Sequence, residues 1–63
     1  MDKDMTIYRA FLAARSCAES LHTAHDVEAH RTYHVNYAIS EAKKMAALLG
    51  YELVEADQKR EAA

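Results

Sequence analysis

The chain contains no proline, and its one glycine, Gly50, stands just past the last residue that keeps a helical rhythm. From Met5 to Leu49 nothing breaks an α-helix, since Gly and Pro cost about 1 and about 3 kcal/mol relative to Ala in a helix interior. Alanine is the commonest residue of that stretch. The composition therefore predicts an all-α protein before any periodicity is considered.

A chain of 63 residues makes one domain at most, and so short a chain buries only roughly 60% of the surface its unfolded form exposes. Cys17 is the single cysteine, so no intramolecular disulfide can form. Support is expected instead from oligomerisation or a metal. Ten acidic residues against eight basic ones give a net charge of −2, which argues against a dominant phosphate-binding role, because that needs a basic footprint. The opening MDKDMTIYRA lacks the apolar core and small-residue cleavage site of a signal peptide. No apolar stretch approaches the roughly 20 residues that cross a bilayer. A cytoplasmic protein with no membrane partner is the expectation.

Two apolar stripes recur at three- and four-residue spacing. The first comprises Ile7, Ala10, Phe11, Ala14, Cys17, Ala18 and Leu21, the second Val35, Ala38, Ile39, Ala42, Met45, Ala46 and Leu49. Between them the same phase meets His25, Glu28 and Thr32, so the chain is expected to fold back there. Thr23 to Asp26 has the form of a capping box, and Asp4 is a candidate N-cap. The pattern predicts a two-helix antiparallel hairpin, about 5–22 and 26–49, with small alanines letting the helices approach closely. The rival is one unbroken helix in a long coiled coil. The second helix is expected to be the longer, overhanging at its C-terminal end. Gly50 fits the left-handed C′ position, with Tyr51 packing back and Lys43 and Lys44 complementing the helix dipole. Residues 51–54 are expected to lie extended against the hairpin, completing a domain over 1–54, and 55–63 to form a polar, frayed tail. Self-association into a four-helix bundle would complete the core.

Some apolar groups point away from these stripes. Tyr8 and Leu12 on the first helix and Tyr33, Tyr37 and Leu48 on the second form outer strips, and tyrosine is enriched at protein interfaces because its ring buries area while its hydroxyl stays wet. These five are the candidate partner-binding residues. His30 and His34, one turn apart on a helix, are weak candidates for a metal pair, but the His-Glu-x-x-His pattern is absent. Cys17 lies on an apolar stripe and is expected to act as a small hydrophobe. Ser16, Ser20 and Ser40 have no glycine-bounded elbow, and one glycine cannot build a phosphate-cradling loop. Neither catalytic residues nor a cofactor is expected. Arg9, Arg15, Arg31, Lys43 and Lys44 lie scattered among acidic residues such as Glu28 and Glu41, as on solvated helix faces. They are nevertheless the candidate set for a nucleic-acid-binding modulator, since a helical-hairpin dimer can present paired faces to folded RNA.

The stretch MTIYRAFLAARSCAESLHTAH followed by YAISEAKKMAALLGYELVEA resembles the small helical proteins of the exo-xis region of lambdoid phages. The resemblance implies a non-enzymatic accessory protein made early in infection. It would influence the choice between lysis and lysogeny, or the host cell cycle, by contacting a host or phage protein. It carries over no residue roles. Two functions are thus expected from the chain: a self-associating regulatory interaction module, or a nucleic-acid modulator.

Overall fold

A computed structural model describes residues 3–56. Two helices, α1 (Lys3–Asp26) and α2 (Arg31–Leu48), are joined by the four residues 27–30 and pack along one another. The fold is the all-α antiparallel hairpin, and the single unbroken helix is excluded. None of the helices is long and apolar enough to cross a membrane among the described residues. Of the tail expected over 55–63, residues 57–63 lie outside the described residues.

The helix limits differ from expectation. At 24 residues α1 is the longer helix and α2 has 18, so the extra length belongs to the first helix. Asp4 lies inside the first turn of α1, where its charge favours the positive end of the dipole, and is not the cap. Thr23 to Asp26 does not cap a second helix either. The Thr23 hydroxyl donates back to the Glu19 carbonyl at 3.1 Å, the mid-helix alternative open to a threonine. The Val27 amide then reaches the Thr23 carbonyl at 2.8 Å, carrying the helical bonding one turn further.

The reversal is a turn in which the Arg31 amide donates to the Glu28 carbonyl at 3.2 Å. His30 sits within it at φ 59° and ψ 28°, a left-handed conformation that disfavours any side chain, and it precedes α2 without a side-chain cap. The Arg31 side chain closes the turn: its Nε donates to the Ala24 carbonyl at 2.7 Å, tying the start of α2 to the end of α1. At the other end the exit is as expected. Gly50, at φ 90°, donates to the Ala47 carbonyl and the Tyr51 amide to the Ala46 carbonyl, the paired bonds of a Schellman motif. Tyr51 does not pack back, being 75% exposed, and Lys43 and Lys44 fall before the last turn. The reversed chain brings Leu53, Val54 and Glu55 beside Ile39 and Lys43 around a small cleft of about 230 Å³.

The seam between the helices is made of small residues. Ala10, Ala13 and Ala24 of α1 and Ala38 and Ala46 of α2 are buried, together with Glu41. On α1 the row Ala10, Ala13, Cys17, Ser20 and Ala24 keeps the alternating three- and four-residue step of a helix packed on one neighbour. The larger members of the expected stripes are outside it: Ile7 is 56%, Phe11 53% and Leu21 47% exposed, and Ile39 and Leu49 are exposed on α2. On α1 the seam is thus rotated away from the apolar maximum, while on α2 most of the expected stripe faces the partner, Ala38 and Ala46 buried and Val35, Ala42 and Met45 half-buried. Small side chains let two helices approach closely, and a bulky row between them would hold them apart. Glu41, expected on a solvated face, is in the seam, its carboxylate reaching Lys44 Nζ at 3.2 Å near the surface.

Candidate interaction site

Tyr33 and Tyr37 stand one turn apart on the same side of α2, and both are exposed. On the facing side of α1, Ser16, Ser20 and Thr23 follow the same helical rhythm. Together with Glu19 and His34 they line an open cleft of about 390 Å³ between the helices at the turn end of the hairpin. The His34 ring meets Tyr33 edge-on, with centroids 5.3 Å apart, and holds one wall. Glu19 is engaged with Arg15 Nε at 3.2 Å. Aromatic rings beside three aliphatic hydroxyls give a surface that can bury area and still exchange hydrogen bonds with a partner. An open cleft of this kind suits a macromolecular surface, whereas small-molecule sites enclose most of their ligand.

The five expected partner-binding residues are not one patch. Tyr33 and Tyr37 share the cleft. Tyr8 and Leu12 are exposed further along α1, and Tyr8 leans toward Phe11 with ring centroids 6.1 Å apart. Leu48 is only half-buried, at the far end of α2 from the tyrosines. The cleft hydroxyls were legible as a pattern, since Ser16, Ser20 and Thr23 recur at i, i+4 and i+7. A polar stripe draws less notice than an apolar one.

The basic candidates do not converge. Arg15 is paired with Glu19, Lys44 with Glu41, and Arg31 is spent on the Ala24 carbonyl inside the turn. At about 100° per residue, Arg9 and Lys43 fall on opposite sides of the hairpin.

The histidines are also placed differently from expectation. His30 belongs to the turn, so it and His34 are not a pair along one helix. The histidine contacts centre instead on Asp26, with His22 Nε2 at 3.3 Å and His25 Nδ1 at 3.0 Å, all exposed. No group of three or more potential metal ligands converges among the described residues. Cys17 is a free, half-buried thiol in the seam row. Compared with protein-family models, with curated proteins and with solved structures, the chain matches none.

Proposed function

We propose that this is a non-enzymatic regulatory protein of the cytoplasm that acts by binding another protein, with Tyr33 and Tyr37 at the centre of the contact and Tyr8, Leu12 and Leu48 as separate outlying points of contact. The observation that carries this is the cleft. Two exposed tyrosines and the hydroxyls of Ser16 and Thr23 lie outside the hairpin's own buried core, which is alanine but for Glu41. Tyrosine is a usual anchor of a protein interface. The likeness to phage exo-xis proteins supplies the biological setting: an accessory factor influencing lysis, lysogeny or the host cell cycle through a host or phage protein. The dispersed and internally engaged basic residues favour this over nucleic-acid binding.

The test compares affinity capture by the tagged wild-type chain and by Tyr33→Ser/Tyr37→Ser, with helicity checked by circular dichroism. A protein retained by the wild type and lost, at unchanged helicity, with the double variant is the expected result. If the chain instead shifts RNA or DNA at physiological salt, with an affinity that falls steeply as salt rises, protein binding is not its primary role.

A further inference from the structure

The face of the hairpin opposite Tyr33 and Tyr37 is apolar and exposed. At about 100° per residue, Ile7, Phe11, Ala14, Ala18 and Leu21 form a row about a quarter turn round α1 from the seam. On α2 the matching row is the exposed Ile39 with the half-buried Val35 and Ala42 at its inner edge. Because the helices are antiparallel, both rows fall on the same side of the hairpin, where Leu53 and Val54 of the returning chain join Ile39. Ile7, Phe11, Leu21, Ile39, Leu53 and Val54 are each between 43% and 56% exposed. Their exposed area amounts to roughly 500 Å², at the upper end for the largest apolar patch on a monomer and most of the roughly 800 Å² each partner gives to a stable interface.

The row on α1 names the occupant. It keeps the step 7, 11, 14, 18, 21, the alternation of four and three by which a helix presents one continuous apolar face. It is also complementary to itself when run in reverse. Ile7 then falls opposite Leu21 of the other copy at the ends of the row, Phe11 opposite the small Ala18, and Ala14 opposite Ala14 at the two-fold axis. Self-complementarity of one patch is what a two-fold dimer requires. The intrachain seam leaves this need unmet, since it buries nothing larger than alanine except Glu41 among the described residues. We infer that two hairpins pair through these faces, α1 antiparallel to α1, into a four-helix bundle whose tyrosine clefts stay open on the outside.

Sedimentation equilibrium of the whole chain is the first test, with twice the 7.1 kDa chain mass expected at micromolar concentration. Phe11→Asp should weaken the dimer at least tenfold, and Tyr37→Asp on the other face should leave it intact. Since Phe11→Asp could also unfold the chain, oxidation of Cys17→Ala/Ala14→Cys gives an independent answer. Across a two-fold at position 14 this cysteine meets its own copy and forms an intermolecular disulfide with helicity retained, while Cys17→Ala/Ser40→Cys does not. A wild-type chain that stays monomeric at millimolar concentration, a folded Phe11→Asp variant with undiminished dimerisation, or an Ala14→Cys variant that fails to cross-link overturns the proposal. The two surfaces fail separately, because loss of a partner in Tyr33→Ser/Tyr37→Ser leaves the mass unchanged.

Discussion

His30 occupies a backbone position that glycine would hold without strain. A left-handed residue other than Gly costs roughly 1–2 kcal/mol, and glycine returns roughly 0.5–1 of that through its freer unfolded state. His30→Gly is therefore expected to stabilise the hairpin by about 0.5 kcal/mol, or to raise its melting temperature by about 2–4 °C. His30→Val, β-branched at the same angles, should lower it. Thermal unfolding followed by circular dichroism decides between these and a turn in which His30 is relaxed. The two left-handed residues also mark what a sequence can reveal. Gly50 was legible because glycine is the residue that ends helices this way. Nothing in the letters His-Arg announces a positive φ, so the turn was expected several residues early.

At the scale of the elements, the turn is held by one side chain. The Arg31 guanidinium meets the Ala24 carbonyl, which belongs to the last turn of α1 and has no helical donor of its own to spare. Arg31→Ala should cost about 1.5 kcal/mol, the usual worth of a hydrogen bond from a charged donor, with Arg31→Lys recovering only part because a point charge does not reproduce the planar fork. Denaturant unfolding measures it. A change within about 0.5 kcal/mol, as at an ordinary surface site, would mean the bond does not hold the turn.

The helices themselves were plain from composition and the phase of α2 nearly so, but the phase of α1 was not. Reading the stripe by size pointed Ile7, Phe11 and Leu21 at the partner helix, whereas the chain packs by smallness and puts Ala10 and Ala13 there. Both patterns have the same three- and four-residue step, so periodicity cannot choose between them; the need for close approach does. Ala38, at 1% exposed the most buried of the described residues, lies at the middle of this seam. Ala38→Leu should destabilise the hairpin by about 1–3 kcal/mol through overpacking, while Ala47→Leu, on the exposed side of α2, should be nearly neutral. Equal tolerance at both positions would contradict the seam.

For the whole molecule, a stripe too wide for one neighbour is the central fact. Seven apolar residues on α1 span more than a single helix contact covers, and the seam takes only their alanine and cysteine edge. A buried methyl contributes about 0.8 kcal/mol and a buried Leu or Phe side chain about 1.5–3, so the larger contribution waits on the open face. The tyrosine cleft could be read only in part from the sequence, because it needs α1 hydroxyls and α2 rings brought together across the turn. The apolar face was visible there as residues, but its role was hidden until the seam was seen to leave it uncovered. If that face is completed by a second copy, stability depends on protein concentration. The decisive measurement is the melting temperature of the unmodified chain over a hundredfold range of concentration. The dimer predicts a rise of about 10 °C across that range, for the unfolding enthalpy expected of two such chains. A melting temperature that does not move, at full helicity, would mean the alanine seam sustains the hairpin alone.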